Sequence, residues 1–131
     1  YAIEKKEEAC GLIEQNAAKF GLPNIQIIHG TAPEALAGLE PPTHAFIGGS
    51  SGELKEILNA LSDMSSSVRV VINAVSLETM AEIHAVLKNF AISDLSIEQV
   101  SVSRARELGN YHLKNAENPV MIASFTLGGK L

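Results

Sequence analysis

Short apolar runs and helically spaced apolar stripes alternate along the chain, and the alternation predicts strands and helices in turn. Residues 1–4 form a short apolar run closed by Glu4. Across residues 5–20, Ala9, Leu12, Ile13, Ala17 and Phe20 recur at helical spacing, while Lys6, Glu7, Glu14 and Lys19 mostly fall elsewhere on the wheel. Gly21 supplies the stop and Pro23 prevents continuation. Residues 24–29 carry Ile25, Ile27 and Ile28, a β-branched strand. A short helix is expected next, capped by Thr31 or Ala32, with Pro33 in its first turn and its end at Gly38.

Residues 43–47 predict a third strand, and Gly48-Gly49-Ser50-Ser51-Gly52 a flexible turn after it. Leu54, Ile57, Leu58 and Leu61 share one face of a helix over 53–61. Residues 68–75 are almost continuously apolar, the pattern of a strand buried on both faces of a parallel sheet. Ser76 can cap a helix in which Met80, Ile83, Leu87 and Phe90 share a face. The rhythm then changes. Two strands, 94–103 and 119–127, follow with no convincing helix in the residues 104–118 between them. The first of these slips phase near Glu98-Gln99, so a β-bulge there or burial of both faces is expected. The fold class is α/β, a single domain over 1–131 whose last strand pair is antiparallel.

Composition narrows the function. The 131 residues are 46% hydrophobic and carry a formal charge of −5, which argues against nucleic acid as the main partner. One cysteine, Cys10, cannot form an internal disulfide. No apolar run reaches the length of a membrane span and no leader pattern precedes the first strand, so the expected location is the cytoplasm. The chain starts at Tyr1, already within a strand, and is expected to be part of something longer.

Three weak signals for chemistry share one geometric property: all lie at carboxyl ends of strands, the rim where open α/β sheets bind ligands. Glu4 offers two carboxylate oxygens, the match for the two hydroxyls of a ribose, although an acid at a helix start also favours the helix dipole. Gly30-Thr31-Ala32-Pro33 can present free backbone amides to an acceptor such as a ring nitrogen, or can simply be a capped turn. Gly48 and Gly49 allow close backbone approach, without a Walker loop or a Gly-x-Gly-x-x-Gly fingerprint. The four histidines are scattered and no metal-ligand spacing appears. Arg104 and Arg106 project to one side if a strand continues through them, either toward substrate carboxylates or merely along a solvated sheet edge.

Five blocks in order carry a resemblance: Tyr1-Ala-Ile-Glu-Lys-Lys-Glu-Glu-Ala, Gly30-Thr-Ala-Pro-Glu-Ala-Leu, Phe46-Ile-Gly-Gly-Ser-Ser-Gly-Glu-Leu, Asn73-Ala-Val-Ser-Leu-Glu-Thr and Gln99-Val-Ser-Val-Ser-Arg-Ala-Arg. Together they resemble the decarboxylating precorrin-6Y C5,15-methyltransferases of cobalamin biosynthesis, in the domain that methylates C15 and decarboxylates a side chain. The resemblance implies a Rossmann-like class I methyltransferase sheet in the strand order 3-2-1-4-5-7-6 and S-adenosylmethionine as cofactor. It implies that Glu4 holds the ribose, that Thr31 and Ala32 line the adenine pocket, and that Gly48 and Gly49 form a wall near the methyl group. Relatives often carry an acid where this chain has Thr31. The family's first strand and glycine-rich loop are missing from these residues, so the domain is expected to be N-terminally incomplete. Unpaired buried backbone groups cost about 1–3 kcal/mol each, and a strand's worth of them would offset the 5–15 kcal/mol typical of a domain.

The implied reaction is attack of a tetrapyrrole carbon on the sulfonium methyl, with loss of carbon dioxide from an acetate side chain. Precorrins carry many carboxylates, which a protein of charge −5 would repel without local cations. Arg104, Arg106 and Lys114 are the candidates for that role, and Tyr111 or His112 for managing a proton. The implied partners are a precorrin, further copies of the chain, and a C5-methylating domain or subunit. The competing readings are a non-catalytic nucleotide-binding module and a methyltransferase with a different acceptor. Titration with S-adenosylhomocysteine separates the first from an enzyme, and assays with alternative acceptors separate the second.

Overall fold

A computed structural model describes residues 1–131, and it resolves into two compact units, Tyr1–Glu40 and Pro41–Leu131. In the first, β1 (Ala2–Glu4) and β2 (Ile27–His29) run parallel with Glu4 opposite His29, joined by α1 (Glu7–Lys19). Acids Glu7 and Glu8 open this helix and Lys19 closes it, each complementing the helix dipole. The stop falls where the sequence puts it. Gly21 takes φ 64°, a left-handed conformation that costs glycine little, and donates to the Ala18 carbonyl while Leu22 donates to Ala17. The apolar stripe of α1 is only partly covered: Ala9, Ile13 and Ala17 are half-buried, whereas Leu12 and Phe20 are exposed. After β2 the expected helix shrinks to one 3-10 turn, Glu34–Leu36, with a cis Ala32-Pro33 bond before it.

The second unit contains β3 (His44–Ile47), α2 (Leu54–Met64), β4 (Val68–Ala74), α3 (Leu77–Leu87), β5 (Phe90–Val100), β6 (Ser103–Leu108), β7 (Tyr111–Ala116) and β8 (Val120–Lys130). Four of its strands form a sheet in the order β3-β4-β8-β5. The β3–β4 pair is parallel, and β8 runs antiparallel to both β4 and β5. In the family's strand order this is the stretch 4-5-7-6, and the β2–β1 pair of the first unit is the stretch 3-2. Within their own units, β1 is paired along one edge, by β2, and β3 along one edge, by β4.

Every fully buried side chain belongs to the second unit. The face of α2 predicted from spacing (Leu54, Ile57, Leu58 and Leu61) is the buried one. It packs in one core with Ile83, Val86 and Leu87 of α3 and with Ala123, Phe125 and Leu127 of β8. Burying a side chain of this size contributes about 1.5–3 kcal/mol, so these residues dominate the unit's stability. Strand β4 alternates strictly: Val68, Val70, Ile72 and Ala74 are buried, while Arg69, Val71 and Asn73 are half-covered. Burial on both faces was therefore half right. Ser76 caps α3 by accepting from the Thr79 amide at 3.1 Å.

Three expectations need correction. Phe90 is not on the helix face; α3 ends at Leu87, and Phe90 is the first, buried residue of β5. The register of β5 is irregular between Phe90 and Ile92 and between Ser93 and Ser96, upstream of Glu98-Gln99. At the first irregularity Gly128 of β8 is needed, because a Cβ there would lie 2.9 Å from the Ala91 carbonyl oxygen. At the second, Asp94 has φ 53° and its carbonyl accepts from Arg69, whose other guanidinium nitrogen donates to Ser124 Oγ at 2.9 Å. Finally, residues 104–118 hold no helix, as expected, but they contain a strand pair that was not expected: β6 and β7 form an antiparallel hairpin closed at Leu108 and Tyr111 by Gly109-Asn110, with Gly109 at φ 60°.

Candidate functional site

Because β1 and β2 are parallel and end in register, the residues following both strands emerge at one carboxyl edge. The turn there is fixed by hydrogen bonds rather than by burial. The Glu4 carbonyl accepts from Gly30 N–H at 3.0 Å and from the Cys10 thiol at 3.4 Å, and His29 Nε2 lies 3.1 Å from the Lys5 carbonyl. Glu4 Oε1 accepts from the Lys6 amide at 2.9 Å, which holds the half-buried carboxylate in one orientation. Its second oxygen, Oε2, has no partner in the protein. A carboxylate offers about four acceptor positions, so most of this group's capacity is open to a ligand's hydroxyls.

Beside it, the Thr31 carbonyl accepts from Ala35 N–H at 2.9 Å and shapes the turn that carries Ala32. The amide of Ala32 bonds no protein acceptor and can donate to one on a ligand. Thr31 is exposed and Ala32 half-buried. A Cβ on Gly30 would come within 3.2 Å of Ala35 Cβ, so the close turn favours glycine. A diol acceptor and a free donor at the ends of adjacent parallel strands suit a nucleoside.

At the carboxyl end of β3, Gly48 and Gly49 are exposed, and a Cβ on Gly48 would press on the Phe46 ring at 3.3 Å. The turn continues through Ser51 (φ 53°) and Gly52 (φ 88°) into α2. Glu82 of α3, which the sequence did not single out, holds this segment. Its Oε2 accepts from Ser50 Oγ at 3.3 Å and its Oε1 from the Leu54 amide at 3.2 Å. The one available signal was negative: no capping side chain acts at Glu53, so the cap had to come from elsewhere.

The hairpin separates the remaining candidates by face. Opposite residues of an antiparallel pair share a face, so Arg104, Arg106, Leu108, Tyr111, Leu113 and Asn115 lie on one side. Lys114 and His112 lie on the other, with Glu107. Lys114 is thus not grouped with the two arginines. Arg104 is paired with Glu117, and His112 Nε2 lies 3.6 Å from Glu107 Oε1. Arg106 and Lys114 have no acidic partner. All six hairpin residues singled out here for charge or proton transfer, from Arg104 to Lys114 with Glu107, are exposed. No group of three or more His, Cys, Asp or Glu is arranged to hold a metal ion, and no helix is long and apolar enough to cross a membrane.

The strand orders within the two units, the antiparallel β5–β8 pair and the likeness to solved structures define a class I methyltransferase fold. A solved structure described as precorrin-6Y C5,15-methyltransferase from Geobacter metallireducens superimposes with a TM-score of 0.80 at 31% identity, covering 95% of this chain and 64% of that one. The match to the precorrin methyltransferase domain family runs over residues 1–127, and the chain belongs to that family. It is 34% identical over 124 residues to a Methanothermobacter thermautotrophicus protein named "Probable cobalt-precorrin-6B C(15)-methyltransferase (decarboxylating)", covering 93% of this chain and 64% of the relative. It is 33% identical over 126 residues to the Sinorhizobium "Precorrin-6Y C(5,15)-methyltransferase [decarboxylating]", covering 96% of this chain and 30% of that protein. The chain thus spans less than two thirds of the length of these curated relatives.

Proposed function

We propose that the native protein is an S-adenosylmethionine-dependent C-methyltransferase acting on a precorrin, methylating C15 and decarboxylating an acetate side chain in cobalamin biosynthesis. The observation that carries this reading is the Glu4 carboxylate, oriented by the Lys6 amide and left with an unpartnered oxygen at the carboxyl end of parallel β1. The names of the relatives supply the acceptor.

When bound, S-adenosylmethionine supplies a methyl group on a positively charged sulfur, open to attack by carbon. The chain's residues fit its adenosyl end: Glu4 accepts from the ribose hydroxyls, and the Ala32 amide donates to the adenine ring, with Thr31 beside it. Gly48 and Gly49, bare of side chains, allow backbone to approach the reacting groups. The macrocycle supplies the nucleophilic carbon and the electron sink for decarboxylation, and the acetate's remaining carbon takes up a proton. Side chains therefore need mainly to align and to exclude water, a contribution that can reach several kcal/mol. Arg106, free of an acidic partner, is the favoured ligand for a substrate carboxylate. Arg104, on the same face, assists, and Tyr111, also on that face, is favoured over His112 for the proton.

This reading treats residues 1–131 as part of a single domain. β1 and β3 each keep one edge open to a partner strand. Assembly with further copies and with a C5-methylating domain or subunit belongs to the same reading.

The test uses the full-length native protein. Calorimetric titration with S-adenosylhomocysteine should show one site per chain, and labelled methyl transfer to the precorrin should match carbon dioxide release one to one. Absence of nucleoside binding would favour a non-catalytic module. Binding with transfer only to other acceptors would replace the substrate.

A further inference from the structure

We propose that Glu82 is a positioning residue that sets the path of the 48–52 turn; the proposal rests on the methyl-transfer reading above. A helix start leaves backbone N–H groups without intrahelical partners, and α2 has no capping side chain at Glu53. Glu82 supplies that acceptor from α3, 28 residues away in sequence from Leu54, and its negative charge suits the positive end of α2. The same carboxylate accepts from Ser50 Oγ with its other oxygen. One rigid, planar group therefore fixes two points, one inside the turn and one at the first residue of the helix.

Both anchors are firm. Leu54 is fully buried, and Ile83, adjacent to Glu82, is 1% exposed. The turn that joins buried Ile47 to Leu54 contains Gly48, Gly49 and Gly52, which alone would sample many backbone conformations. The tether selects one, with Ser51 and Gly52 at positive φ. Gly48 and Gly49 are then held in a fixed place to meet the reacting groups. A displacement of about 1 Å in such a wall can cost about 100-fold in rate.

The experiment compares Glu82→Ala, Ser50→Ala and Glu82→Gln in the full-length protein, by hydrogen exchange over residues 49–54 and by kcat and KM for methyl transfer. Ser50→Ala removes only the turn contact and keeps the helix cap, so it folds even if Glu82→Ala does not. The expected result is faster exchange and a fall of about 10- to 100-fold in kcat/KM for both alanine variants. Glu82→Gln should rescue both readouts to within about threefold, because its amide can accept from Leu54 N–H and donate to the Ser50 hydroxyl. Alanine variants that melt earlier yet keep wild-type exchange and kcat/KM would overturn the proposal and leave Glu82 a stabilising cap. A wild type that transfers no methyl group would defeat the reading above. The exchange measurement would still decide for or against the tether.

Discussion

Replacing Glu4 by glutamine isolates the charge of the group on which the cofactor assignment depends. The amide oxygen of glutamine can still accept from the Lys6 N–H that now bonds Oε1 at 2.9 Å, so the turn should keep its shape. What is lost is the anionic acceptor at Oε2, which has no other partner. Hydrogen bonds to a charged group contribute about 1.5–3 kcal/mol and neutral ones about 0.5–1.5, a difference of about 1–1.5 kcal/mol per bond. Two ribose hydroxyls make that about 2–3 kcal/mol, or roughly a 30- to 150-fold weaker Kd at about 1.4 kcal/mol per tenfold. Glu4→Ala should weaken binding further, and it also removes the acceptor for Lys6. Calorimetry with S-adenosylhomocysteine on the full-length protein reads the effect, with thermal unfolding as the control for fold. If Glu4→Gln bound within about twofold of wild type, the carboxylate would not hold the sugar and the cofactor geometry argued here would be wrong.

Two other substitutions test the hairpin and the core. Arg106→Ala should reduce kcat/KM for the precorrin more than Arg104→Ala, whose charge is already answered by Glu117, and should flatten the dependence of KM on salt; equal losses would remove the distinction between them. Leu58→Ala, at a fully buried site in α2, should cost about 2–5 kcal/mol in urea unfolding. Leu12→Ala, at a position 53% exposed, should stay within about 0.5 kcal/mol, and a loss matching that at Leu58 would mean that the α1 stripe is covered in the native protein.

Elements packed against a core were legible in the sequence because burial imposes a period. The four-residue face of α2, the glycine stop of α1 and the serine cap of α3 all follow from local rules that tertiary context did not override. The β6–β7 hairpin was missed for the opposite reason. All twelve of its strand residues are exposed, so burial imposes no sustained period on them, and only the short run Tyr111-His112-Leu113-Lys114 alternates. The stronger local signature is the two-residue Gly109-Asn110 connection, a known hairpin pair. Exposure also explains the misplaced bulge. Leu95, Ile97, Val100 and Val102 are all substantially exposed, so their parity reports no buried face. Among the candidate residues, Glu4 and Ala32 could be placed at or just after strand ends because strand ends can be located from sequence. Glu82 could not, since its partners lie 28 and 32 residues away and nothing local links them.

The residues proposed to bind the adenosyl group all belong to the unit without a fully buried side chain. Their geometry must therefore come from the main chain. Four contacts supply it: the Lys6 amide on Glu4 Oε1, Gly30 N–H on the Glu4 carbonyl, His29 against the Lys5 carbonyl, and Ala35 N–H on the Thr31 carbonyl. Each contributes about 0.5–1.5 kcal/mol net, enough to orient groups but not to stabilise a unit of forty residues against its conformational entropy. Ligand binding stabilises whatever it binds in the native state, in proportion to the logarithm of ligand concentration over Kd. Under the reading proposed above, a bound nucleoside would add to the order of this turn. In the proposed reading the Ala32 amide and the Glu4 carboxylate define the binding turn, and the exposed side chain at position 31 would adjust affinity without deciding the fold.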